Sequence, residues 1–405
     1  MKKQIIILLL TLTTTSYLYA QEPCNDNVIM NTKGKWIKSK VRPDKTNFTK
    51  TQELAIASRM EEMYKMMLKV IPVPMGLDGD WRYRNYDERF ASKVKYFTTK
   101  DGRVEMEFVK LNHLSGYDCI WHFCDLGCYD GKIVGGYPCD GTAAIMVTVN
   151  NFGAFLTGGE LPDNDVLIDG EIIKRKETVQ GSWKGYDLMW EGRQARGYRR
   201  VLIHRKGELP YTPVTRKQYL DRALIYVNKF YDDMIKSSDQ VPMRSLEEQE
   251  ALKNKTLDDY KKKYGSDPKI LKSTVDYFLM SYQTDQQRRD DQVKIIVKNK
   301  NADLKNIRDE LEKTTKEGLL DSPAIVTGGN SGVFNPGAPV FSTEEGGGSM
   351  LVTENLKYIR KDLPADVPQF IVLYWQWSDS KPGKNLRKQF EENFEVEKLQ
   401  AMIDK

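Results

Sequence analysis

Ala143-Ala-Ile-Met-Val-Thr-Val149, closed by Asn150-Asn151, is the stretch on which the fold turns. The run is too short for an ordinary helix, it is rich in aliphatic and β-branched side chains, and turn formers bound it, so it reads as a strand. Its neighbours repeat the pattern. Val104-Glu-Met-Glu-Phe-Val109 alternates, and Val166–Ile168, Tyr186–Trp190 and Arg200–Ile203 are short runs of the same kind. Asp101-Gly102, Asp130-Gly131, Asp140-Gly141, Asp169-Gly170 and Lys206-Gly207 punctuate them, several where a tight hairpin wants positive φ. Strands joined by short turns with no helix between them predict an antiparallel sheet or a partly closed barrel of about six to nine strands. This region spans residues 81–206.

Further out the period becomes helical. Thr49 and Gln52 have capping-box spacing ahead of Leu54, Ile56, Met60, Met63, Met67 and Leu68, which recur at steps of three and four. Methionines at this spacing are core gap fillers. On the other side, Thr215 with Gln218 and Ser245 with Glu248 open two more helices, and Asp267-Pro268 a third. Residues 215–318 are therefore a mostly helical block, with a polar stretch at Thr284–Gln292. A Gly-rich segment, Gly328–Ser349, reads as a flexible or functional loop. Pro368–Trp377 is a strong strand candidate and amphipathic helix follows it, so the C-terminus should return to the sheet. The expected class is α+β. The expected divisions are a leader at 1–20, an N-terminal helix with the β region at 21–210, a helical block at 211–327, the loop at 328–349 and a closing strand and helix at 350–405.

Lys2 and Lys3 precede an apolar run from Ile5 to Leu10, and Ala20 stands before Gln21-Glu22-Pro23. That is the order of a cleavable secretory signal, and the apolar core is well short of the roughly 20 residues of a membrane span. No later segment reads as membrane-spanning. The net charge is +5, with basic and acidic residues interspersed, which argues against a nucleic-acid partner. In general look the chain resembles exported proteins of Gram-negative bacteria. The expected location is periplasmic or secreted.

Cys119, Cys124, Cys128 and Cys139 cluster, and Cys24 stands apart. In an oxidising compartment the four are expected to form two disulfides bracing an irregular loop, with the pairing open and Cys24 either left over or joined to the cluster. His113 and His122 in the same segment give an alternative metal reading, but their spacing matches no common zinc site and no cofactor is expected.

Three further groups of residues could carry function. Gly329-Asn330-Ser331-Gly332 is similar to the turn that presents the nucleophile of chymotrypsin-like serine proteases, which would make Ser331 the nucleophile. The resemblance covers four residues, and the family's histidine and aspartate have no clear counterparts. Asp165 and Asp169, with Glu160, Asp163 and Glu171, form an acidic group of the kind used in glycoside hydrolysis, and His204 ends a strand beside Arg205. Trp183, Tyr186 and Trp190 with Arg193, Arg196, Tyr198, Arg199 and Arg200 lie on adjacent strands. Flat rings with charged handles suit glycan or peptide binding, although alternation buries half of such a set. The sequence thus favours an exported binding or interaction protein, its partner a glycan, a peptide or another envelope protein. The alternative is a secreted hydrolase of glycosidase or peptidase type that uses Ser331, His204, Asp165 or Asp169.

Overall fold

The computed structural model describes residues 24–38, 48–86, 91–98, 104–110, 114, 116–135, 143–157, 166–167, 171–190, 198–327 and 339–405. The chain divides into two compact units: residues up to Val214 together with Thr343–Lys405, and Thr215–Ser342.

The first unit is built on an eight-stranded sheet. In chain order its strands are β1 (Trp36–Lys38), β2 (Leu77–Tyr86), β3 (Gly116–Asp125), β4 (Ala143–Val149), β5 (Val179–Trp183), β6 (Tyr186–Trp190), β7 (Tyr198–Ile203) and β8 (Ile371–Gln376). Their spatial order is β1-β2-β3-β4-β8-β7-β6-β5. Only the β1–β2 pair is parallel, so the sheet is mixed, and β1 and β5 stand at its two edges without closing into a barrel. The late strand β8 enters the middle, pairing Tyr374 with Met146 of β4 on one side and with Arg200 of β7 on the other. The β5–β6 hairpin turns on Lys184 and Gly185 with φ of 51° and 84°. Two successive positive φ values are what a two-residue type I′ turn demands.

Alternation gives the sheet two different faces. Tyr117, Cys119, Trp121 and Phe123 of β3, Ile145 and Val147 of β4, Val201 of β7 and Leu373 and Trp375 of β8 point to one side, into the main core. That face is covered by α1 (Lys50–Val70) through Ile56, Met60, Met63 and Met67, and by α6 (Lys381–Asn393) and the short helix Val396–Gln400 through Leu386, Phe390 and Leu399. Both reciprocal bonds of the Thr49–Gln52 capping box are present on α1. The methionine stripe is core. Arg59 of α1 reaches the Asp366 carboxylate at 2.6 Å and the Lys405 carbonyl oxygen at 3.2 Å, tying the helix to the returning C-terminal chain.

The other face is apolar at one end only. There Leu202, Val372 and Met189 pack with Phe152, Phe155, Tyr211, Tyr358 and Phe370. At this end Asn150, directly after β4, adopts φ 53°. Its side chain replaces strand pairing: Oδ1 accepts the Gln369 N–H at 2.7 Å and Nδ2 donates to the Val367 carbonyl at 2.9 Å. Gln369 in turn clasps Arg360 through both of its amide atoms, and its own carbonyl accepts the Tyr358 hydroxyl at 2.5 Å.

The second unit is helical: α2 (Arg216–Gln240), α3 (Leu246–Tyr264), α4 (Pro268–Ser281) and α5 (Asp285–Lys316). Capping boxes open α2 and α3, and Pro268 occupies the first turn of α4. The polar stretch at Thr284–Gln292 proves to be the start of one continuous helix, α5, with its own Thr284–Gln287 box. α2 and α5 run antiparallel and share a buried polar pair, the Tyr231 hydroxyl donating to Asp303 at 2.5 Å. Burial raises the Asp303 carboxyl above its ordinary range, the Tyr231 hydrogen bond opposing the shift. α3 and α4 form a hairpin held by Tyr260 against Phe278 and by the Tyr282 hydroxyl on the Gln249 carbonyl.

The Gly-rich segment is described from residue 339. There Gly347 takes φ 80° in a turn whose Gly348 N–H reaches the Thr343 carbonyl at 2.9 Å.

Candidate functional site

The cysteine segment is not an irregular loop. Gly116–Asp125 is an inner strand of the sheet. Cys24 and Cys128 are joined in a disulfide with Cα atoms 5.9 Å apart, and Cys124 is also disulfide-bonded. Cys139 lies outside the described residues. Cys119 corrects the disulfide expectation: it is a free thiol, fully buried in the main core, whose sulfur accepts the Trp81 indole N–H at 2.9 Å. Alternation points it into the helix-covered face, where it acts as a small hydrophobe, and burial pushes its thiol pKa upward. Iodoacetamide should therefore leave Cys119 unmodified in the folded chain and alkylate it once guanidinium unfolds the protein, as peptide mass mapping will read. Rapid modification of the native protein would contradict this placement.

Trp183 and Tyr186 lie on the helix-covered face. The Trp183 ring stacks on Phe390, and its N–H donates to the Glu391 carbonyl at 3.1 Å. The Tyr186 hydroxyl donates to Gln400 at 3.3 Å. Arg199 pairs with the Glu391 carboxylate at 2.8 Å, an oxygen that also accepts from Trp375 and Arg387. Two of the rings that the sequence offered to a ligand, Trp183 and Tyr186, thus pack against the chain's own helices. Trp190 pairs with Arg199 in the sheet, while Arg193 lies outside the described residues.

The polar partners that the same strands carry emerge on the opposite face. Tyr198 and Arg200 of β7, Tyr374 and Gln376 of β8, Met146 of β4 and His122 of β3 are all half-buried. In register they form two rows, Tyr198–Gln376–Ala144–His122–Asp80 and Arg200–Tyr374–Met146–Ile120–Arg82. At the centre is Arg200. Its guanidinium carbon lies 5.2 Å from the Tyr198 ring centre and 5.6 Å from that of Tyr374, within cation–π range. Nη1 donates to the Ala154 carbonyl at 2.9 Å, and Nε pairs with Glu177 at 3.0 Å. Glu177 also accepts the Tyr198 hydroxyl at 3.3 Å, and Tyr374 donates to Gln376 at 2.7 Å. Burial raises the Tyr374 hydroxyl pKa against the opposing charge of Arg200. Asp80, directly opposite His122, is paired with Arg82, whose Nε donates to it at 2.6 Å.

Glu177 follows the strand Lys174–Lys176, and Arg175, Lys176 and Glu177 are three consecutive buried charged residues. Burial holds the Lys176 amine below the ordinary lysine range, opposed by Glu344, Asp187 and Glu177. Burial likewise raises the nearby Tyr211 hydroxyl, to about 12. Between the lowered Lys176 value and its unfolded value the unfolded chain carries the extra proton, so stability rises with pH across that window. Lys176→Met should abolish this rise and leave the chain at least as stable at pH 7, since it removes a dehydrated charge. Thermal melts from pH 7 to 10 check this; a drop of more than about 5 °C at pH 7 would show that Lys176 stabilises the fold.

Of the hydrolase candidates, only His204 lies among the described residues. His204 closes β7 with Nδ1 2.8 Å from the Arg205 carbonyl, to which it must donate. Ser331, Asp165, Asp169 and His113 lie outside the described residues. Among the described residues no three histidine, cysteine or carboxylate side chains are grouped to hold a metal ion, and no helix is long and apolar enough to cross a membrane. Comparison of the chain with family models, with curated proteins and with solved structures finds no match. Sequence reading singled out Tyr198 and Arg200, but missed Tyr374, Gln376 and Glu177. A period-two count along Pro368–Trp377 would have separated Tyr374 and Gln376 from the core residues Leu373 and Trp375.

Proposed function

We propose that this is an exported binding protein whose tyrosine–arginine patch, on the sheet face opposite the helices, takes a hydroxyl-rich ligand, a glycan. The observation that carries this reading is the Tyr198–Arg200–Tyr374 stack, half-buried and held by Glu177 and the Ala154 carbonyl. Side chains already held in one geometry lose little freedom on binding. Phenol rings stack on the apolar faces of sugars, while Gln376, His122 and the tyrosine hydroxyls offer donors and acceptors to the hydroxyl groups. A peptide fits less well. β7 and β8 are inner strands with both neighbours paired, so they have no free backbone edge to which an extended peptide could add. The leader pattern at Met1–Ala20 and the Cys24–Cys128 disulfide support export. A glycan array probed with the mature protein tests the reading. Binding should be confined to a family of related sugars and lost in the Tyr198→Ala variant. Retention of every glycan signal by that variant would overturn the proposal, as would release of cleaved sugar.

A further inference from the structure

The two helix pairs of the helical unit are built differently. α2 and α5 carry buried apolar rows, Leu220, Ala223 and Val227 on one and Ile296, Leu304 and Ile307 on the other. In α3 the one buried residue is Gln249, and α4 has none. Across residues 239–295, all of them described, Gln249 alone is buried. Polar bonds join the α3–α4 hairpin to the α2–α5 pair, and they converge on Asp285, the first residue of α5. The Arg244 guanidinium binds its carboxylate bidentately, Nη2 to Oδ1 at 2.7 Å and Nε to Oδ2 at 3.0 Å, and the Arg244 N–H adds a third bond at 3.1 Å. Gln249 Oε1 accepts the Asp285 N–H at 2.8 Å, while its Nε2 donates to the Arg244 carbonyl at 2.8 Å.

The chain enters and leaves the hairpin at this same level, and both crossings interrupt the helices. Val241 and Ser245 on one, and Tyr282 and Thr284 on the other, have ψ of 121°, 158°, 128° and 162°, far from helical values. Two non-helical crossings side by side leave one easy motion, rotation about the line that joins them. We propose that the α3–α4 hairpin is a hinged arm that swings as one body about these crossings, and that Arg244 and Gln249, both bonded to Asp285, are the latch that holds it. The arm is one body because Tyr260 packs on Phe278 and the Tyr282 hydroxyl donates to the Gln249 carbonyl. Below the hinge Arg289 of α5 donates to the Ser238 carbonyl at 2.9 and 2.8 Å, so α2 and α5 stay together when the arm moves. Opening exposes little apolar surface, and water replaces the bonds of the exposed Arg244 at small net cost. A segment held in this way opens well before the fold around it does.

Distances between pairs of spin labels on the full mature chain, read by double electron–electron resonance, test the arm. One label goes on Lys262→Cys in α3, and the other on Lys298→Cys in α5 or on Lys236→Cys in α2, all exposed positions. Roughly 26 Å of helix separates Lys262 from Ser245, so a swing of about 20° carries the label about 9 Å. With the latch intact each pair should give one narrow distance. Arg244→Ala combined with Gln249→Ala should spread or displace at least one of these distances by about 9 Å. A control pair within the arm, Lys262→Cys with Asp276→Cys, should not change, nor should the far-ultraviolet circular dichroism. Distances that stay narrow and unmoved without the latch residues would overturn the proposal, as would an intact chain already as broad as the latch variant. Broadening of the control pair would show that the hairpin unfolds and does not swing, which overturns it equally. None of these readouts involves the glycan.

Discussion

Asn150→Ala should lower the stability of the sheet unit by about 3–5 kcal/mol. Asn150 is fully buried, and it holds the Gln369 N–H and the Val367 carbonyl at the point where the chain leaves β4 and β8 begins. Alanine would leave both groups buried and unsatisfied, at about 1–3 kcal/mol each. Its Cβ would also sit at φ 53°, where asparagine is tolerated and alanine costs about 1 kcal/mol. In a unit of this size the melting temperature should fall by about 10 °C. Asn150→Gly separates the two causes. Glycine removes the strain but not the orphaned groups, so it should recover only about 1 kcal/mol. Full recovery by glycine would show that the backbone, and not the side-chain bonds, sets the requirement.

Glu177→Ala should cost about as much, for a different reason. Arg200 and Glu177 are both largely shielded from water, and removing the carboxylate leaves a guanidinium in that setting without the charge that offsets it, a loss of about 3–5 kcal/mol. The cost should come from orphaning the charge and not from losing a net attraction. Glu177→Leu combined with Arg200→Met should therefore return most of the stability, since the charges then leave together. The doubly altered chain should fold normally and bind glycan poorly, because Tyr198 and Tyr374 lose the group between them. Denaturant titration read beside a binding assay distinguishes the two effects. A double variant as unstable as Glu177→Ala would show that the pair serves the fold and not the ligand.

The α+β class was legible because short apolar runs with Asp-Gly and Asn punctuation leave little alternative to strands, and because Thr49–Gln52, Thr215–Gln218 and Ser245–Glu248 announce helices through local hydrogen bonds alone. β3 was not. Tyr117, Cys119, Trp121 and Phe123 alternate as cleanly as any strand, but cysteine density suggested a braced loop, and Cys119 followed burial when its chemistry suggested a bridge. The polar start of α5 carries no such pattern, because a long helix half in solvent needs no apolar stripe in its first turns. The candidate site was half legible. Tyr198 and Arg200 could be named from one segment, whereas Tyr374 and Gln376 join them through strand pairing across a long sequence separation, and Glu177 through side-chain contacts, which no local pattern records. The same pairing sends Trp183 and Tyr186 to the opposite face, beneath helices encoded some 200 residues later.

The two faces of the sheet give the most direct test of the proposed binding role. Isothermal titration of the best array sugar into wild type, Tyr374→Ala and Tyr186→Ala compares a ring on the face that carries Arg200 with one on the helix-covered face. Tyr374→Ala should weaken binding about tenfold or more, and Tyr186→Ala by less than about twofold, at unchanged stoichiometry. Equal affinity for wild type and Tyr374→Ala, or a larger loss from Tyr186→Ala, would place the ligand elsewhere and contradict the assignment of the site.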